Sequence, residues 1–131
     1  IDDEPEMAEE LVELCEAAGF PTVSAGNLEP AVALLKKHPT IGAIASDLRM
    51  PGHESGKLMT SLVAIAAELD HPCSLLIMTG HAGNAEREHA ASLGIRNFFS
   101  KPLDTEAFIA ALNGLAGERH GLVQASPGAR R

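Results

Sequence analysis

Residues 46–52 read Ser-Asp-Leu-Arg-Met-Pro-Gly, and this stretch decides the fold that we predict for the chain. An apolar run at 41–45 leads directly into it, and Pro51 and Gly52 then interrupt the pattern. A short apolar run that is closed by proline and glycine is typical of a strand buried on both faces. Asp47 is therefore predicted at the carboxyl end of a buried strand, where open α/β sheets bind their ligands.

The size and composition of the chain fit a single domain that buries its own core. It has 131 residues, of which 45% are hydrophobic, and a formal net charge of −8 that argues against nucleic-acid binding. No apolar run approaches the ~20 residues of a membrane span, so we expect no membrane association. Cys15 and Cys73 lack CxxC spacing, which favours reduced thiols in a cytoplasmic protein over a disulfide.

Helical and strand-like patterns alternate along the chain. Helices are predicted at 5–18, 27–38, 58–69 and 84–93 and from residue 104 onward, and strands at 22–25, 41–47, 73–78 and 95–99. Such alternation predicts an α/β fold with a parallel sheet that helices cover on both faces. The helix at 84–93 has a mostly alanine inward face, so we expect packing to hold it loosely.

The domain is predicted to occupy residues 1–116. From Gly117 the helical periodicity fails, so residues 117–131 are interpreted as a tail or linker. At the other end, only Ile1 precedes the acidic pair of Asp2 and Asp3, so the first strand is almost missing. Because a central strand needs ~5 residues, we expect the expressed chain to extend several apolar residues before Ile1.

Polar residues stand at the predicted strand ends, namely Asp2, Asp3, Asp47, Thr79 and Lys101. Each taken alone has an ordinary explanation as a solvated or turn-forming residue. In a parallel sheet, however, these ends meet at one edge, and clustered carboxylates repel one another unless a cation such as Mg²⁺ lies among them. A carboxylate beside a metal, an ammonium group and a hydroxyl is suited to receiving a phosphoryl group.

These motifs together resemble the receiver domain of two-component response regulators. The residues that carry the resemblance are the acidic pair at 2–3, residues 47–52, the Thr-Gly-His turn at 79–81 and residues 94–102. The 44 positions from Asp3 to Asp47 and the 22 from Thr79 to Lys101 also fit that pattern. The resemblance covers residues 1 to about 116 and implies a doubly wound (βα)5 domain, flavodoxin-like, with strand order 2-1-3-4-5.

The resemblance also implies roles for the acidic residues. Asp47 would accept a phosphoryl group from a sensor histidine kinase or a phosphotransfer protein. Asp3, Asp47 and the main-chain carbonyl of Arg49 would ligate Mg²⁺, and Asp2 would act through a bound water. The domain would then be a signalling module and not an enzyme.

A second set of roles concerns switching. By the same resemblance, Thr79 is the switch hydroxyl, Lys101 pairs with the phosphoryl group, and Phe98 is the switch aromatic. Phe98 could equally be a core residue of its strand, with Phe99 facing the opposite way. The implied signalling surface is the face of the fourth helix, fifth strand and fifth helix, which would control an output domain or target protein or form a homodimer.

Some features depart from the family pattern or leave alternatives open. The loop from Pro51 to Gly56 is one residue longer than usual, and Arg49 and His81 are expected near the mouth of the site. A phosphatase of the haloacid-dehalogenase type also uses Asp, Mg²⁺, Thr and Lys, but its acidic pair comes last in the chain. A phosphorylation-independent adaptor on the same fold is the third interpretation.

Overall fold

The computed structural model describes residues 1–50, 52–80 and 83–123. Five helices and three strands are present in this part of the chain. In chain order they are α1 (Pro5–Ala17), α2 (Leu28–Lys37), β1 (Ala43–Asp47), α3 (Ser55–Ala67), β2 (Ser74–Thr79), α4 (Asn84–Ser92), β3 (Asn97–Ser100) and α5 (Thr105–Val123). None of the described helices has the length and hydropathy that would let it cross a membrane.

The three strands form a parallel sheet in the order β1-β2-β3. Asp47 lies opposite Met78 in the register of the first pair, and Thr79 lies opposite Ser100 in the second. The carboxyl ends of β1, β2 and β3 therefore meet at one edge of the sheet, as the sequence predicts. Parallel pairing with helical crossovers confirms the α/β fold class.

The predicted strand at 22–25 is wrong, and no strand forms before Asp2 in the described residues. Backbone hydrogen bonds nevertheless form at the positions where these two strands were expected. The Ile1 nitrogen donates to the Ala45 carbonyl oxygen, and the Asp47 nitrogen donates to the Ile1 oxygen at 3.0 Å. The Asp2 nitrogen in turn donates to the Ala25 oxygen at 3.0 Å. In the described residues, isolated hydrogen bonds of Ile1 and Asp2 therefore stand where two strand ladders were expected.

Helices cover both faces of the sheet, and each face has its own apolar core. One core joins α2, α3 and α4 to the sheet, and its fully buried members include Leu58, Met59, Leu62 and Ile77. The other joins α1 and α5 to the opposite face around Leu76, Met78 and Phe108. Burying each of these large side chains stabilises the fold by roughly 1.5–3 kcal/mol. Because adjacent β2 residues point into different cores, the strand is buried on both sides.

Local sequence signals explain where α2 and α5 begin and where α4 ends. The Asn27 side chain accepts a hydrogen bond of 2.8 Å from the Leu28 nitrogen and caps α2, as predicted. Asp104 Oδ1 accepts one of 3.1 Å from the Ala107 nitrogen and caps α5. After α4, Gly94 has a φ of 83°, a left-handed conformation that favours glycine.

The boundaries of the last elements differ from prediction. Strand β3 begins at Asn97, two positions later than the apolar pattern suggests, because the ladder to β2 starts with the Asn97–Leu76 pair. Helix α5 continues to Val123, beyond the point where the periodicity fails. The remainder of the predicted tail, residues 124–131, lies outside the described residues, as do Pro51 and His81.

Candidate functional site

Three carboxylates meet at the carboxyl edge of the sheet. Asp47 is the last residue of β1, and Asp2 and Asp3 follow the short backbone segment that pairs with it. Oxygen atoms of Asp2, Asp3 and Asp47 all lie within 4.8 Å of one another. Asp2 and Asp47 are only 5% and 4% exposed, whereas Asp3 faces solvent. The clustering that the sequence predicts is therefore present.

Backbone amides orient the two buried carboxylates. Asp47 Oδ1 accepts a hydrogen bond of 3.1 Å from the Arg49 nitrogen, and Asp2 Oδ1 accepts one of 2.9 Å from the Glu4 nitrogen. Each bond comes from a residue two positions further along, so the turn that ends the strand also fixes the rotamer of the carboxylate. In both cases the second oxygen, Oδ2, is directed to Lys101.

Lys101 supplies the positive charge of the cluster. Its Nζ donates to Asp47 Oδ2 at 2.9 Å and lies 3.6 Å from Asp2 Oδ2. Partial burial alone would lower the pKa of Lys101, but the hydrogen bond to Asp47 and the charges of Asp47, Asp2 and Glu4 outweigh it, so the pKa is raised. Lys101 therefore remains protonated at neutral pH. A cis peptide bond joins it to Pro102.

The donor set fits a hard divalent cation. A cleft of about 340 Å³ opens at the cluster, and it is lined by Asp3, Glu4, Asp47, Arg49, Gly80 and Lys101. Carboxylate oxygens at this density, with one lysine for three acids, leave negative charge that an ion such as Mg²⁺ would neutralise. Arg49 lines the same cleft as Asp3 and Asp47, and its main-chain nitrogen contacts the Asp47 carboxylate.

A backbone hydrogen bond connects Thr79 to Lys101 of this cluster. It is the last residue of β2, and its carbonyl oxygen accepts a hydrogen bond of 2.8 Å from the Lys101 nitrogen. Its side chain is 1% exposed. The structure thus brings Thr79 to the same edge of the sheet as Asp47, with its side chain buried.

The two phenylalanines of β3 face opposite sides, as the strand alternation predicts. Phe99 packs edge-on against Phe108, with ring centroids 5.4 Å apart, in the core beneath α1 and α5. Phe98 is half-buried against the other core, and Arg87 of α4 lies over its ring at 4.9 Å from Cζ to the centroid. The contact of Arg87 with Phe98 was not predicted, because no local sequence pattern links an arginine on a helix surface to a ring on the next strand.

A second unpredicted feature extends the cleft along the β1–α3 loop. This extension, of about 380 Å³, shares Asp3 and Arg49 with the first cleft and is also lined by His53 and Ser55. His53 Nε2 lies 3.2 Å from the Asn27 side-chain oxygen and so joins the loop to the start of α2. The unusual length of this loop was visible in the sequence, but the contact between His53 and Asn27 was not.

The profile of the response regulator receiver domain family matches residues 1–113. The chain belongs to this family. Its two-component relatives include the response regulator PprB of Pseudomonas aeruginosa, with 32% identity over 121 residues, which are 92% of this chain and 43% of that protein. The transcriptional regulatory protein FixJ of Azorhizobium caulinodans is 33% identical over 121 residues, covering 89% of this chain and 53% of FixJ. The receiver domain thus spans about half the length of these relatives.

Solved structures agree with the receiver fold. A response regulator receiver protein from Pseudomonas putida aligns with a TM-score of 0.76 and 26% identity, covering 86% of this chain and 91% of its own. A receiver domain protein from Clostridium thermocellum aligns with a TM-score of 0.77 at 19% identity, covering 92% and 94%. The prediction of a CheY-like, flavodoxin-like receiver domain is confirmed, and the domain is a signalling module of two-component systems.

Proposed function

We propose that Asp47 of this receiver domain accepts a phosphoryl group from a sensor histidine kinase or a phosphotransfer protein, in a Mg²⁺-dependent reaction. The observation that carries the proposal is the pairing of a buried strand-end carboxylate with Lys101 at 2.9 Å inside a cluster of three aspartates. Such a carboxylate is oriented, desolvated and open to a cleft, which are the requirements for a nucleophile.

The transfer would proceed by in-line attack. One oxygen of Asp47 forms a bond to phosphorus while the bond from phosphorus to the donor's imidazole nitrogen breaks, and the electron pair of that bond returns to the ring. The Arg49 amide already holds Oδ1, so the carboxylate meets the donor in a fixed rotamer. Lys101 donates a hydrogen bond to Asp47 Oδ2 in this structure. After transfer, its ammonium group would pair with the phosphoryl oxygens instead.

The metal would be held by Asp3, Asp47 and the main-chain carbonyl of Arg49, with Asp2 acting through water. Bound there, Mg²⁺ would neutralise negative charge on the phosphoryl oxygens. Asp3 is suited to first contact with the ion because it is exposed, whereas Asp2 is buried and already accepts the Glu4 amide.

Phosphorylation would then switch the face formed by α4, β3 and α5. Phosphoryl oxygens recruit the Thr79 hydroxyl, and Phe98 moves into the space that Thr79 leaves. Helix α4 responds because only Ala90 among its residues is fully buried. This face would control an output domain or target protein in the cytoplasm, or form a homodimer, without direct contact of the domain with nucleic acid or membrane.

Labelling with acetyl phosphate tests the proposal. Wild type should gain the mass of one phosphoryl group in the presence of Mg²⁺ and lose that gain in EDTA. Asp47→Asn should gain none, whereas Asp70→Asn, which neutralises an exposed aspartate in the loop after α3, should behave as wild type. Equal labelling of Asp47→Asn and wild type would exclude Asp47 as the acceptor.

A further inference from the structure

Arg87 on α4 bridges two residues of β3. Its Cζ lies 4.9 Å from the centroid of the Phe98 ring, and its Nη2 donates a hydrogen bond of 2.6 Å to Ser100 Oγ. Ser100 lies opposite Thr79 in the sheet register and directly precedes Lys101. One guanidinium therefore joins the loosely packed helix to both the switch aromatic and the strand end beside the acidic cluster.

Among the described residues, few other contacts fasten α4 to the rest of the domain. Ala90 is its one fully buried residue, and an alanine side chain contributes little apolar area. His89 Nε2 lies 3.3 Å from the Gly56 carbonyl oxygen and links the helix to α3. Arg87 and Ser100 are both exposed, and the two Arg87 interactions add to this small apolar contact by joining α4 directly to β3.

We propose that Arg87 is a positioning residue that holds Phe98 in its half-buried arrangement and so opposes the phosphorylated state. The inference rests on the proposed function, in which Phe98 moves towards Thr79. A ring that moves inward leaves the guanidinium, so the cation–π contact stabilises only the arrangement seen in this structure. Arginine suits the task because its planar group stacks on a ring and donates sideways to Ser100 at the same time.

Beryllofluoride, a phosphoryl mimic, tests the inference when it is titrated with Mg²⁺ while amide shifts of α4 are followed. Since the contact stabilises the competing arrangement, Arg87→Ala should lower the beryllofluoride concentration at half-saturation by roughly 2- to 5-fold. Arg87→Lys keeps the positive charge but loses the planar guanidinium group. Its beryllofluoride concentration at half-saturation should therefore lie between those of wild type and Arg87→Ala. Lys57→Ala, which removes an exposed charge paired with Glu54 on α3, should match wild type.

The direction of the shift separates switching from a general loss of structure. A variant that merely loosened the fold would bind beryllofluoride more weakly than wild type, which is the opposite result. In a Phe98→Leu background the Arg87→Ala change should have no further effect, because the ring is its partner. If wild type responds to beryllofluoride but the half-saturating concentration of Arg87→Ala is unchanged or raised, the role of Arg87 is excluded while the proposed function stands. A wild type that does not respond to beryllofluoride would overturn the proposed function and this inference with it.

Discussion

The Lys101 ammonium group lies 2.9 Å from Oδ2 of Asp47 and joins the end of β3 to the end of β1. The two residues are 54 positions apart in the chain, yet the parallel sheet brings their strand ends to the same edge. Asp2 shares the same ammonium group at 3.6 Å. The pair therefore neutralises part of a crowded acidic cluster and orients the carboxylate proposed as the phosphoacceptor.

Replacing Lys101 by Met should destabilise the domain by ~1–3 kcal/mol near pH 8, because two buried carboxylates lose a charged partner. The folded-state pKa of Lys101 is raised above its usual value of 10.5, so its contribution is fully present below that pH. As the pH rises through the folded-state pKa, the difference in free energy of unfolding between wild type and Lys101→Met should shrink.

Urea titrations of both proteins between pH 7 and about pH 11.5 measure this difference. Lys36→Met, which alters an exposed lysine of α2, serves as the control and should show a small, pH-independent change. A Lys101→Met difference that grows with rising pH would contradict the assigned sign.

Asp3→Asn should have opposite effects with and without magnesium. In EDTA the change removes one of three crowded negative charges and should raise the free energy of unfolding by ~1 kcal/mol. With millimolar Mg²⁺ the wild type should gain stability through binding, whereas Asp3→Asn should gain much less. Thermal unfolding of both proteins in EDTA and in Mg²⁺ measures the four values. Equal stabilisation of both by Mg²⁺ would exclude Asp3 as a ligand.

Thr79→Ala should uncouple the acidic cluster from α4. Beryllofluoride should still bind this variant, because Asp47, Asp3 and Lys101 are retained, but the amide shifts of residues 83–99 should be much smaller than in wild type. Thr79→Ser, which keeps the hydroxyl, should restore them. If the amide resonances of residues 83–99 shift equally in Thr79→Ala and wild type, Thr79 does not couple the acidic cluster to α4.

The position of Asp47 could be predicted because it depends on local pattern and topology. An apolar run ended by proline and glycine predicts a buried strand, and parallel strands bring Asp2, Asp47, Thr79 and Lys101 to one edge whatever the details of packing. The alternation of side chains along a strand likewise predicted that Phe98 and Phe99 face opposite cores.

Other features depend on contacts between elements, which the sequence pattern does not encode. The predicted strand at 22–25 is replaced by a single hydrogen bond from the Asp2 nitrogen to the Ala25 oxygen. The contacts of Arg87 with Phe98 and Ser100 arise from the position of α4 over β3, and a helix-surface arginine looks the same in sequence whether or not it has such partners. The continuation of α5 to Val123 escaped prediction because Gly114 and Gly117 weaken the helical pattern there.

Borohydride reduction shows whether the phosphoryl group resides on Asp47 as an acyl phosphate. Borohydride converts an aspartyl phosphate to homoserine, which tandem mass spectrometry assigns to a single position. The proposed role of Asp47 requires homoserine at position 47, and none at Asp2, Asp3 or Asp104, after incubation with acetyl phosphate and Mg²⁺. Homoserine at another aspartate, or phosphorylated protein that yields none at position 47, would contradict it.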